Sequence, residues 1–372
     1  MKRPFRLRII CILSAALLAS SALAGNLPEW ALGPFVRPAG VGPVIRPNPV
    51  SVFMCPMRNE QVHWQGLHTF NPAATVMNGR VYLLYRAEDD TGNGIGGHTS
   101  RIGIASSSDA IRFHKREVPV LFPAVDSQQV YEQGGGCEDP RLVCTISGIY
   151  VLTYTQWDRK TARLAVATSR DLIHWTKQGS IFAKALKGKY LNTWSKSGSI
   201  VTALRNGKLT AAKINGRYWM YWGEGCLGLA YSNNLKDWTI VEDKQGNPLK
   251  VMDKRPGSFD SDLVEAGPAA IVTSRGIVLL YNGKNSSSSG DPTIDPGAYS
   301  AGQALLSSKD PTKVISRLNT PYFRPEKDFE KTGQYPSGTT FTEGLTYFKG
   351  KWYLYYGCAD SLVGVAVGEG DL

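Results

Sequence analysis

One pattern recurs five times along this chain: a short apolar and aromatic strand, a tight turn at a glycine, a second such strand, and in most copies a polar residue at the end. The copies occupy residues 74–89, 142–158, 210–225, 269–284 and 345–360. Their turn glycines, Gly79, Gly148, Gly216, Gly276 and Gly350, stand 60 to 74 residues apart. Most copies are followed by a small-residue strand, a Ser/Asp/Asn turn and an outer strand, as in 101–115, 162–179, 227–241 and 301–317. Each unit therefore reads as a three- or four-stranded antiparallel meander. Solenoid repeats run shorter, so five such units predict an all-β fold, a five-bladed β-propeller. No long stretch keeps a 3.6-residue period, and helices are expected to be negligible.

The chain has 372 residues, longer than most single domains but ordinary for a propeller. At its N-terminus, Lys2, Arg3, Arg6 and Arg8 precede an apolar run from Ile9 to Leu23, and Ala22-Leu23-Ala24 has the small-x-small form of a cleavage site. This predicts a secretory signal over residues 1–24 and a periplasmic or extracellular protein. Residues 25–372 are then a single catalytic propeller domain, with 25–65 a Pro-rich, irregular arm over one blade. No other stretch is long and apolar enough to span a bilayer. The net charge of +11 comes from scattered residues with no basic run of five, so a generally basic surface is expected and no nucleic-acid partner. The histidines, His63, His68, His98, His114 and His174, show no metal-ligand spacing, and neither metal nor other cofactor is expected. Beyond Cys11 there are five cysteines without C-x-x-C spacing, which predicts no disulfide framework.

In a propeller the inner strands end at a central channel, so polar residues at equivalent repeat positions should converge there. These are Arg86, Asp158, Glu224, Asn282 and Asp360, with Glu138-Asp139 and Glu265 joining from flanking segments. Arginine, carboxylates and aromatics around one funnel suit a glycan: hydroxyls meet the charged groups and C–H faces meet aromatic rings. Trp157, Trp194, Tyr299 and Tyr335 are candidates for such faces, whereas Trp175, Trp238 and Trp352 lie in repeat strands and are expected to be structural. Cleaving a glycosidic bond takes one carboxylic acid to protonate the leaving oxygen and a second carboxylate to activate water or attack carbon. Asp139, Glu224, Glu265 and Asp360 supply that inventory.

The segment Gly136-Cys137-Glu138-Asp139-Pro140-Arg141 resembles the G-x-E-D-P-R signature of glycoside hydrolase family 130. Phe70-Asn71-Pro72-Ala73, Leu84-Tyr85-Arg86-Ala87-Glu88, the strand 102–109, Pro325-Glu326 with Glu330 and Gly333, and Tyr355-Tyr356-Gly357-Cys358-Ala359-Asp360 resemble further family motifs in the same order. The resemblance implies a five-bladed propeller acting on β-mannosides, as a phosphorylase or a hydrolase. It implies that Asp139 is the general acid, acting through a sugar hydroxyl. Asn71, Arg86 and Asp360 would bind the sugar beside the scissile bond, joined by Asn282 from the repeat alignment. Glu138 and Arg141 would support the acid.

The family's phosphorylases carry an arginine after the third inner strand and a Y-H-G motif in the fourth blade. This chain has Tyr221-Trp222-Gly223-Glu224 and Tyr281-Asn282-Gly283 instead. A carboxylate at a phosphate site repels the dianion. Glu224 with Glu265 resembles the glutamate pair of the family's secreted hydrolases. The expectation is an inverting hydrolase of β-mannosides, with β-1,2-mannosides and glycan-derived mannosides as candidate substrates, Asp139 as acid and Glu224 or Glu265 as base. The alternatives are a β-mannoside phosphorylase releasing mannose 1-phosphate and a non-catalytic glycan-binding propeller.

Overall fold

The computed structural model describes residues 27–370; the expected signal, residues 1–24, lies outside the described residues. The fold is almost entirely β. Its only α-helix among the described residues is the single turn Gln129–Glu132. No described helix is long and apolar enough to cross a membrane.

The repeated turns explain the repeated strands. Asn78-Gly79, Asn215-Gly216 and Lys349-Gly350 all hold both residues at positive φ. That is the hairpin geometry whose twist matches the flanking strands, and glycine adopts it without strain. It fixes the pairs Met77↔Arg80, Ile214↔Arg217 and Phe348↔Lys351, and with them which residues face inward. A second device recurs one strand later. The hydroxyls of Ser107, Ser169, Ser232 and Ser307 accept the backbone N–H two residues on, at 3.1–3.2 Å, which turns the chain into each outer strand.

The first meander is His68–Met77, Arg80–Glu88, Ser100–Ser107 and His114–Lys115. The second is Gly136–Cys144, Tyr150–Trp157, Ala162–Ser169 and Thr176–Ser180. The third departs from the simple repeat. Ser199–Arg205 pairs with Lys208–Ala211 as a hairpin while its first two residues also pair with Arg217–Trp222, so the inner position is shared between two segments. In the fourth, Leu263–Ala266 and Ala270–Thr273 both pair with Gly276–Lys284, which continues to Tyr299–Leu306 and Val314–Arg317. Neighbouring meanders touch through parallel pairs: Ser100 with Gly136, Thr210 with Cys144, and Val201 with Ala270.

The last meander is Thr340–Phe348, Lys351–Cys358 and Leu362–Gly368, and its outer strand comes from the opposite end of the chain: Phe35–Val36 pairs with Val367 and Gly368. The N-terminal arm, expected to be irregular, is therefore partly ordered strand. It also contains the hairpin Phe53–Cys55 with Glu60–Val62. Leu32 exchanges two hydrogen bonds with the Gln303 amide, and the Arg37 guanidinium bonds buried Glu330 while lying 4.0 Å above the Phe323 ring. The apolar strand faces pack between meanders, and Trp64, Trp238 and Trp352 are fully buried there.

Candidate active site

Three inner strands break register at one level. The shifts fall between Phe70 and Pro72, between Glu138 and Arg141, and between Thr342 and Gly344. A bulge re-aims the side chain it carries. Asn71 and Asp139 sit in two of these bulges with φ of 45° and 47°, and Asp360 follows at 51° in the turn after Cys358. Such backbone is unfavourable for non-glycine residues by about 1–3 kcal/mol each and gathers at functional sites. Here it turns all three side chains toward one cleft of about 250 Å³. Gly357 makes the crowding possible: a Cβ there would lie 2.2 Å from the Asn71 side-chain oxygen.

Charge is concentrated on two cations. The buried Arg86 guanidinium donates to Asp139 Oδ1 at 3.1 Å, Glu138 Oε1 at 2.8 Å, Glu88 Oε1 at 2.7 Å and Ser100 Oγ at 3.0 Å. Phe70 lies beneath it, 4.7 Å away. Lys196 reaches Asp139 Oδ2 at 3.6 Å from the other side, and the Asn71 amide donates to Asp139 Oδ1 at 2.9 Å. Burial would raise the Asp139 carboxyl, but Arg86, Lys196 and Asn71 outweigh it and hold it well below the usual carboxylate range. Its neighbour Glu138 goes the other way. Burial and the Asp139 charge push it up to about 7, against the pull of Arg86.

Glu224 and Glu265 form the opposite wall. Trp194 Nε1 donates to Glu224 Oε2 at 2.8 Å, and the Ser197 hydroxyl donates to Glu265. Burial and the nearby Glu224 raise Glu265 to about 7, although Lys196 opposes the shift. Asp360 is raised to about 6, chiefly by burial. Lys196 answers all of them: burial disfavours its charge, but Glu224, Glu265, Asp139 and Glu138 together raise its pKa well above that of a free lysine. Trp157 and Trp194 meet edge to face at the cleft, as do Tyr299 and Tyr335.

Thus Asn71, Arg86, Glu138, Asp139, Glu224, Glu265 and Asp360 line one cleft. Arg141 stands behind it, donating to the carbonyls of Ala266, Gly267 and Asp139 and lying 3.5 Å from Glu343. Two expected channel residues are elsewhere. Asn282 is fully buried, and its amide exchanges hydrogen bonds with Thr342, so it ties the fourth meander to the fifth rather than facing a sugar. Asp158 accepts two backbone N–H groups of its own turn and pairs with Arg163 at 2.8 Å, so it is a turn residue. Sequence reasoning missed Lys196, Ser197 and Gln334. Lys196 and Ser197 lie between repeats, and Gln334, which bridges Glu88 to the Asp360 carbonyl, lies in a loop; none is in a strand copy.

A β-fold whose paired carboxylates and aromatic rings converge on one open cleft defines a carbohydrate-active enzyme. The family profile described as beta-1,4-mannooligosaccharide phosphorylase matches residues 43–371, and the chain belongs to glycoside hydrolase family 130, whose members act on β-mannosides. A 1,2-beta-oligomannan phosphorylase of Thermoanaerobacter sp. (strain X514) is 31% identical over 84% of this chain and 94% of its own. A crystal structure from Bacteroides thetaiotaomicron VPI-5482 is 54% identical, with a TM-score of 0.92 over 94% of this chain and all of that one. Another, from work on family glycoside hydrolases that target β-1,2-mannosidic linkages in Candida mannan, is 53% identical, with a TM-score of 0.91 over 92% of this chain and 96% of that one.

Proposed function

We propose that this protein is a five-bladed propeller that hydrolyses β-mannosides with inversion, Asp139 acting as general acid and the Glu224–Glu265 pair holding the attacking water. One observation carries the reading. Six carboxylates line the cleft (Glu88, Glu138, Asp139, Glu224, Glu265 and Asp360) against two cations, Arg86 and Lys196, both already ion-paired. Bound phosphate requires cationic donors that are free to meet it, and buried carboxylates repel it. Water meets no such barrier and needs an acceptor for its proton. Glu265, near 7, is matched to that task at neutral pH.

Asn71, Arg86 and Asp360 hold the sugar beside the scissile bond, and the aromatic pairs flank it. Glu138 and Arg141 support the acid. In the empty cleft Asp139 is ionised, and Glu138, raised to about 7 and sharing Arg86 with it, is the neighbouring carboxyl able to hold a proton. Sugar hydroxyls that engage Arg86 and Asn71 weaken their hold on Asp139, and the proton passes to Asp139 and on to the leaving oxygen. The productive cleft therefore contains one proton on the acid side and none on Glu265.

A second reading is phosphorolysis. The activities named for the curated relatives, at 27–31% identity, back it more strongly than they back hydrolysis. The signal-like N-terminus supports action outside the cytoplasm, where a sugar phosphate would be lost to the cell. One experiment separates the two readings. The protein is incubated with β-1,2-mannobiose, with and without phosphate, and products are followed by proton NMR. Hydrolysis gives α-mannose first and does not need phosphate. Mannose 1-phosphate, formed only when phosphate is added, sinks the hydrolytic reading.

A further inference from the structure

We infer that His68, Glu88 and His98 form a binding site for one divalent transition-metal ion of the zinc type, at the foot of a loop that walls the cleft. His68 and Glu88 stand at the ends of paired strands, and His98 lies in the bend just before the next strand, Ser100–Ser107. His68 and Glu88 are direct cross-strand partners, and Glu88 is in turn opposite Ser100, two residues after His98. Cross-strand pairing sets His68 beside Glu88, and the bend leading into Ser100 brings His98 to the same end of the sheet. Their ligand atoms all lie within 4.8 Å of one another. Sequence spacing alone concealed the cluster, because register rather than proximity along the chain assembles it.

Two details favour a ligand over a merely packed cluster. His98 Nδ1 lies 3.2 Å from the Thr91 carbonyl, which can only accept, so Nδ1 carries the proton and the Nε2 lone pair is free. A backbone carbonyl behind the other ring nitrogen is the usual support for a metal-bound histidine. His68 Nδ1 is buried with no hydrogen-bond partner, so the ring of this cluster residue carries a desolvated, unpaired nitrogen. Two imidazoles and a carboxylate suit zinc-type ions rather than calcium or magnesium, and water would complete the coordination.

The site has a mechanical meaning. Glu88 and His98 are the two stems of the segment 89–97, which contains Gly92, Gly94, Gly96 and Gly97 and places Ile95 and Gly96 at the cleft. An ion joining the stems restrains that glycine-rich wall. Glu88 also accepts from Arg86 at 2.7 Å and from Gln334 at 2.9 Å, so it would bridge the ion to the guanidinium that orders Asp139.

The test uses the full-length protein after chelator treatment and does not depend on mannoside cleavage. Zn²⁺ is titrated by calorimetry, and Co²⁺ is added in parallel as a visible probe. The expected result is one ion per chain, intense Co²⁺ bands of low coordination number, and slower amide hydrogen exchange in residues 90–97 on adding Zn²⁺. His68→Gln and His98→Gln each weaken binding by more than roughly tenfold, the loss that even an outer-shell change produces. Uptake equally tight in the double variant overturns the proposal. So does wild-type protein in which Co²⁺ keeps its aqueous spectrum and exchange in 90–97 is unchanged, a result that holds whether or not the variants fold.

Discussion

Glu224 and Glu265 face each other across an isolated antiparallel backbone bridge, which fixes two carboxylates side by side at the cleft wall. The Glu224 charge makes that of Glu265 harder to form. Glu224 is one cause of the raised value of Glu265, so removing its charge lets Glu265 ionise more easily. With Glu265 as base and a proton held on the Glu138–Asp139 side, kcat/KM should be bell-shaped with its maximum near pH 7. In Glu224→Gln the acid limb should move to lower pH by about one unit, while the alkaline limb stays in place. An unmoved acid limb in the pH–rate profile would remove Glu265 from the role of base.

Lys196 should act with the opposite sign. It is the cation shared by Asp139, Glu138, Glu224 and Glu265. Without it every carboxyl proton is held more tightly, so Lys196→Met should move both limbs upward and lower kcat/KM by at least about 100-fold. The loss of a buried partner should also destabilise the fold by about 3–5 kcal/mol, visible in denaturant titration. Wild-type limbs in Lys196→Met would mean that the ammonium does not control the cleft's protons.

Gly357→Ala tests how Asn71 is seated. The new Cβ meets the Asn71 side-chain oxygen at 2.2 Å, so the amide must turn and its nitrogen must leave Asp139. Activity should fall by about 10- to 100-fold, as when a positioning group shifts by an ångström. The same change in an Asn71→Ala background should have much less further effect, because only a 3.2 Å approach to the backbone N of residue 71 then remains. Additive losses in this double-mutant cycle would place the damage elsewhere.

Stability should depend on pH through the same groups. Glu138 and Glu265, near 7, and Asp360, near 6, hold protons in the native state that an unfolded chain releases near 4. Their contribution is complete below about pH 4 and is lost as pH rises through 6 to 7. Asp139 has the reverse sign, but its contribution is already complete above about pH 4 and drops out of this window. Thermal melts should therefore show a midpoint that falls between pH 5 and 8. Glu265→Gln should remove up to about 3 kcal/mol of that fall. A wild-type midpoint that rises across this interval would contradict the burial of these acids.

The strands were legible because each copy advertises its turn. Asn78-Gly79 and Asn215-Gly216 are hairpin signals that operate over four residues, and local chemistry is what a sequence displays. The cleft acids were legible for a related reason: Asp139 and Asp360 sit at fixed offsets from repeat strands. Asn282 misled because its place in the repeat suggests the channel, while its amide is consumed by Thr342, a partner sixty residues on. Lys196 stayed hidden because its role comes from four carboxylates drawn from three other segments. The split inner strand of the third meander was equally invisible, since Lys208–Ala211 and Lys213–Ile214 are both plausible strand and only the competing pair to Arg217–Trp222 decides between them.

The pairing of Phe35–Val36 with Leu362–Gly368 sets an order of events for the newborn chain. The last sheet needs one strand made early, Phe35–Val36, and three made much later, from Thr340 onward. Its outer edge cannot be covered until residue 368 is available, so every earlier stage leaves an unpaired strand edge open. Contacts of such long sequence separation are also slow to form. A chain truncated before Leu362 would thus lose more than a tail: its own first strand would have no partner, and the arm would be held only where Arg37 meets Glu330 and Leu32 meets Gln303.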